Sequence, residues 1–129
     1  MIISLDTHTL VWFLDDPSRL SSEVIKLLGD ERNELRISVI VLAEIKRLHE
    51  KGRIKIGVSD VVRVLDLARN TAIVDIDLAI IQLMPPSLEI HDAIIVATAL
   101  RQQQLTGEKC PVVTCDKAIT ESGLVDVVW

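Results

Sequence analysis

Cysteine, glycine at turns and long apolar runs are all scarce in this chain. Cys110 and Cys115 are its only thiols, which excludes a disulfide framework, and two cysteines without neighbouring histidines make a poor zinc site. Along one strand their odd separation would point the sulfurs to opposite faces. No apolar run approaches the ~20 residues a helix needs to cross a bilayer. The opening MIISLDTH has no basic segment ahead of its short apolar run, so it does not resemble an export signal. Cytoplasmic location is the resulting expectation. The turn after the first apolar run, Asp6-Thr7-His8-Thr9, contains no glycine, which excludes the close pyrophosphate approach of a dinucleotide site. Basic residues are in the minority, giving a net charge of -5 and a pI near 5.1. That balance argues against generic, charge-driven nucleic-acid binding. A nuclease is still allowed, because carboxylates that hold divalent ions add negative formal charge, and the bound ions reverse the local field.

What is abundant is apolar residue. The 129 residues are 49% hydrophobic, with a mean hydropathy of +0.37. A single domain spanning 1–129 is expected, with an interior as apolar as a sheet covered on both faces and with some apolar surface covered by a partner. Ile2 to Leu5 reads as an inner strand ending at Asp6, followed by a helix from Thr7 to Leu14 that Asp15-Asp16-Pro17 stops. A second helix opens at Ser21-Ser22-Glu23 and runs to about Gly29. Leu35 to Val39 reads as a strand, and Ile40 to Lys51 as a helix closed by Gly52. Ser59-Asp60 precedes a helix ending near Asn70, Ala72 to Ile76 is a strand, and Asp77 caps a helix through about Met84. Glu89 to Gln104 is the longest helix, followed by a strand at Pro111 to Thr114, a helical turn at Asp116 to Glu121 and a last strand at Leu124 to Val128. β-branched runs alternating with helices describe an open, mostly parallel α/β sheet with helices on both faces.

The acids fall in informative places. Asp6 follows the first strand and Asp116 follows the fourth, and in open α/β sheets ligands bind beyond the carboxyl ends of strands. Helix capping is the competing explanation for each. Glu44 lies within an apolar stretch, in the second turn of its helix, where a cap is no explanation and burial is costly unless the group is paired or metal-bound. An intrahelical pair with Arg47 or Lys51 is the plain alternative. Asp92 sits in the first turn of the longest helix, beside His91 and ahead of an apolar run. Together Asp6, Glu44, Asp92 and Asp116 form a set of hard oxygen donors suited to magnesium or manganese. Pressed together without a cation, they would raise one another's proton affinities.

Weaker candidates surround them. Lys46, Arg47, Lys51, Arg53 and Lys55 form the best surface for RNA phosphates, with Arg47, Lys51 and Arg53 foremost, although a solvated helix face explains them almost as well. His91 is expected to hydrogen-bond near its helix start, and His8 to be either a packing or polar-contact residue or a substrate contact. Two histidines among carboxylates do not form a tetrahedral zinc site. Trp12 and Phe13, with Leu10, Leu14 and Leu20, form either core or an exposed partner groove, the groove being favoured.

Four stretches together resemble the PIN domain family, and within it the VapC-type toxin ribonucleases: Ile3-Ser4-Leu5-Asp6-Thr7-His8, Ser38 to Glu44, Glu89 to Ala99 with His91-Asp92, and Val112-Val113-Thr114-Cys115-Asp116. The resemblance covers nearly the whole length. It implies a three-layer α/β/α sandwich with a mostly parallel sheet and a magnesium- or manganese-dependent endoribonuclease with Asp6, Glu44, Asp92 and Asp116 as metal-binding acids. It further implies Thr114 as an auxiliary polar residue, a homodimer, and a small antitoxin protein that inserts a segment into the groove. A metal-dependent DNA nuclease using the same acids, or an α/β binding module of the response-regulator kind, are the rival readings. The second leaves Glu44 without a task.

Overall fold

The computed structural model describes residues 1–129. Strand β1 (Ile2–Leu5) is buried at every position, Ile2 and Ser4 on one face and Ile3 and Leu5 on the other. A strand buried on both faces requires layers above and below it. The chain then forms α1 (Thr7–Asp15), a 3-10 turn at Pro17–Arg19, α2 (Ser22–Gly29), β2 (Glu34–Ser38), α3 (Val39–Glu50), α4 (Val58–Leu67), β3 (Thr71–Val74), α5 (Leu78–Leu83), α6 (Ile90–Thr106), β4 (Val112–Val113), α7 (Lys117–Ser122) and β5 (Val127–Val128). The result is the expected α/β/α sandwich, and its five strands are all parallel, in the order β3-β2-β1-β4-β5.

That order decides where a site can form. The chain steps from β1 through β2 to β3 in one direction, then returns to place β4 and β5 on the other side of β1. The switch point lies between β1 and β4, where diverging connections leave a crevice at the carboxyl ends. There Leu5 pairs with Val113, and Asp6 N–H donates to the Val113 carbonyl at 3.3 Å.

Helix α6 is buried continuously from Ala93 to Ala99 and lies across β1 and β2. A helix apolar all round belongs inside, and its small residues let it approach the sheet. Gly107, at φ +73°, closes it in the left-handed conformation that glycine adopts without cost. The apolar excess fills this core, yet Leu67, Leu78 and Leu105 stand well exposed.

Several boundaries differ from expectation, each for a local reason. α4 begins at Val58, so Ser59 and Asp60 lie in its first turn; the Asp60 carboxylate reaches back to Gly57 N–H at 3.0 Å. β3 starts at Thr71 and ends at Val74, because its pairing lasts only as long as β2, whose last partner is Ser38. β2 gives up Val39 to α3, since the Ser38 hydroxyl accepts from Ile40 N–H and starts the helix. β5 is confined to Val127–Val128 by the equally short β4 beside it.

Candidate active site

Asp6, Asp116 and Thr114 are tied together by hydrogen bonds at the switch point. Asp6 is the N-cap of α1, its Oδ1 accepting from Thr9 N–H at 2.8 Å. Its Oδ2 accepts from the Thr114 hydroxyl, and the Thr114 oxygen in turn accepts from Asp116 N–H at 2.9 Å. Asp116 caps α7 through Oδ1, which accepts from Ile119 N–H at 3.0 Å. Capping and convergence are therefore not alternatives: the caps orient the carboxylates. Each carboxylate oxygen carries two lone pairs, so the capping oxygens are not exhausted, and Oδ2 of Asp116 has no protein donor.

Glu44 joins from α3. Its Oε1 accepts from the Thr7 hydroxyl at 2.9 Å, which holds it against the residue next to Asp6. The intrahelical ion pair that competed for Glu44 does not form; on α3 the i,i+4 pair is Lys46 with Glu50.

Asp92 makes no side-chain hydrogen bond and reports the neighbourhood electrostatically. Its pKa is pushed up from 3.8 to about 6, first by burial, then by the charges of Asp116, Glu89, Glu44 and Asp6. A helix N-terminus favours an ionised carboxylate, so burial and acidic company outweigh the dipole of α6 here. Glu89 caps α6 and accepts from His91 N–H at 3.0 Å, a bond that holds its own carboxyl below the usual glutamate range. His91 Nδ1 lies 2.6 Å from Glu89 Oε1, the helix-start contact expected for that histidine.

No three of these side chains already stand in a cage that could grip an ion. The donor set nonetheless fits a hard divalent cation: it is all carboxylate oxygen, half-buried, mutually repulsive and incompletely hydrogen-bonded. Neutral hydroxyls brace it. Thr7 and Thr9 were not singled out from sequence, although Thr-x-Thr directly after a strand-ending aspartate is a readable capping signal; Glu89 was read only as a helix start.

The remaining candidates are more scattered. Arg47, Lys51 and Arg53 are exposed on the end of α3 and the following turn, and none of them has a carboxylate partner. Trp12 and Phe13 are half-buried against the core. Cys110 is buried and Cys115 exposed, both free. Burial, then Asp6 and Asp116, push the Cys115 thiol up, and Arg19 opposes them. A hollow of about 860 Å³ opens elsewhere, at the amino ends of β2 and β3, lined by Arg32, Arg36, Arg69 and Asn70 among others. Its arginines are largely matched, Arg36 by Glu34 and Arg32 by Asp30 close by. Convergent unmatched acids at a topological switch point are the stronger mark of chemistry.

A family model described as the PIN domain matches residues 3–122. The chain belongs to the PIN domain family. Among solved structures, this PIN domain is similar to VapBC2 from Rickettsia felis bound to a DNA fragment from their promoter, at 19% identity and TM-score 0.69, covering 100% of this chain and 99% of that one. It is also similar to VapBC-1 from nontypeable Haemophilus influenzae, at 16% identity and TM-score 0.65, covering 99% and 97%. A toxin–antitoxin complex from Klebsiella pneumoniae aligns at 20% identity and TM-score 0.60, covering 98% and 96%. At such identities the likeness is one of fold. No curated protein sequence matches the chain.

Proposed function

We propose that this PIN domain is a magnesium- or manganese-dependent endoribonuclease, acting as the toxin of a toxin–antitoxin pair. The observation that carries the reading is the convergence at the switch point, where Thr114 bridges Asp6 and Asp116, Thr7 holds Glu44 beside them, and burial and then the neighbouring acids raise the proton affinity of Asp92. Such a cluster is costly unless a cation offsets it. Family membership and the toxin–antitoxin complexes of the same fold add support.

Asp6, Asp92 and Asp116 would hold the cation, with Glu44 beside them. A divalent ion bound there supplies Lewis acidity toward a phosphoryl oxygen and lowers the pKa of water. Thr114 keeps the Asp6 carboxylate aimed, and its link to Asp116 N–H sets the two strand-end acids relative to each other. Glu44, held at Oε1 by Thr7, has Oε2 free to orient the attacking water and accept its proton. Arg47, Lys51 and Arg53 would position the RNA backbone. A homodimer, and a small antitoxin protein inserting a segment into the groove, complete the proposal.

The test is cleavage of single-stranded RNA, with matched DNA alongside. RNA cut in magnesium or manganese to give 5′-phosphate and 3′-hydroxyl ends, and spared by Asp6→Asn or excess EDTA, is the expected result. Undiminished cutting by Asp6→Asn or in EDTA overturns the metal-site reading, and cutting of DNA alone overturns the substrate.

A further inference from the structure

One cluster beside the acids has no task in the chemistry above. His8 and Trp12 stand a turn apart on α1, ring centroids 5.7 Å apart and tilted by 51°. Trp129, just past β5, meets Trp12 at 5.8 Å and 56°. Arg19 lies over the Trp12 ring with Cζ 4.6 Å from the centroid. His8, Arg19 and Trp129 are exposed, while Trp12 is half-buried and anchored on the core. Arg19 has no carboxylate partner.

The shelf borders the acid cluster. Asp6 caps the helix that displays His8 and Trp12, and His8 stands two residues beyond that carboxylate. Arg19 covers one face of the half-buried Trp12 ring, so the ring surface offered to a ligand is that of the exposed His8 and Trp129. The cation–π contact holds Arg19 in place while its N–H groups remain free for an anion.

We infer that this shelf holds an unpaired base of the nucleic-acid strand next to the scissile phosphate, with Arg19 against the backbone phosphate. The inference rests on the nuclease reading, and what it adds is the set of residues that hold one unpaired base beside the acids. Three considerations carry it. A chain of net charge -5 gains little from general attraction to phosphates, whereas stacking on an aromatic face does not depend on net charge. Bases within a duplex already stack on each other, so a shelf of this kind selects unpaired ones. The pairing of open rings with an unmatched arginine also differs from the continuous apolar groove that a peptide helix requires.

The composition makes the shelf directly observable. The chain has two tryptophans and no tyrosine, so its intrinsic fluorescence comes from Trp12 and Trp129 alone. The experiment titrates the Asp92→Asn protein, in magnesium, with single-stranded oligoadenylate and with an RNA duplex of equal length. Anisotropy of labelled RNA gives binding independently. Saturable quenching by the single strand and little by the duplex is expected. His8→Ala, Arg19→Ala and Trp129→Ala should each weaken single-strand affinity about tenfold, the order expected for one lost stacking or phosphate contact, and Trp129→Phe should restore most of its share. Circular dichroism melts confirm that each variant is folded, and exposed His8 and Arg19 keep the test sound if Trp129→Ala is not. RNA binding without quenching, equal quenching by duplex, or wild-type affinity in all the alanine variants overturns the shelf. Wild-type cleavage in parallel separates the two readings. Quenching without cleavage leaves the shelf and removes the nuclease; cleavage with unaffected shelf variants does the reverse.

Discussion

Asp92 concentrates the energetics of the site into one side chain. Its folded pKa, about 6, lies above the ordinary 3.8, so the folded state holds its proton more tightly than the unfolded one. The stabilisation this gives is complete below about pH 4 and is lost as pH rises through 6. Without metal, Asp92→Asn should therefore melt higher than wild type, and the gap in Tm should widen from pH 4 to 7 and then level off. Added magnesium should narrow it. A gap that stays flat with pH removes the electrostatic cluster from the account. The same substitution should abolish cleavage, a local trade of stability for function. Thr114 makes the opposite case: it is fully buried and bridges Asp6 and Asp116. Thr114→Val should cost about 1–3 kcal/mol by leaving buried polar partners unsatisfied, read as a lowered denaturation midpoint, and should lower the cleavage rate as well.

Elements, more than residues, determine how much could be read in advance. The strand-ending aspartates were legible because a short β-branched run followed by a cap residue is a local signal, as at Val112-Val113-Thr114-Cys115-Asp116. α6 was legible from its apolar run. The edges of β3 and β5 were not, because a strand ends where its neighbour ends, and register is a long-range property. The bonds from Thr7 to Glu44 and from Thr114 to Asp6 were hidden for the same reason, since they join segments distant in sequence. Glu44 illustrates the difference: its apolar surroundings marked it as unusual, but only the packing of α3 against α1 gave it a partner. α7 offers a clean separation of capping from charge. Asparagine caps as well as aspartate, so Asp116→Asn should keep α7 capped and, by removing a charge that acts on Asp92, should not lower the metal-free stability, while eliminating cleavage. A variant that cleaves normally would reduce Asp116 to a cap. Within α6, Ala97 is fully buried; Ala97→Leu should cost about 1–3 kcal/mol by overpacking, measured by urea denaturation.

The whole molecule is an acidic sandwich whose candidate site lies at one end of its sheet. Strand order places the carboxyl ends of β1 and β4 beside a crevice, α6 brings a third acid to it and α3 a fourth. Unmatched Arg47 on α3 and Lys51 at its C-cap lie beyond Glu44, so RNA tracking along them would be governed by counterion release. Arg47→Ala with Lys51→Ala should weaken binding across many sequences and reduce the salt slope by about 1 per cation removed; an unchanged slope would leave them a solvated face. The proposed homodimer would register in light scattering as twice the chain mass. The central claim is that Asp6, Glu44, Asp92 and Asp116 together hold a divalent ion, and anomalous diffraction from a manganese-soaked crystal tests it most directly. The account predicts a manganese peak among Asp6, Asp92 and Asp116 with Glu44 adjoining it. Manganese bound only elsewhere on the molecule, with those four carboxylates bare, would contradict it.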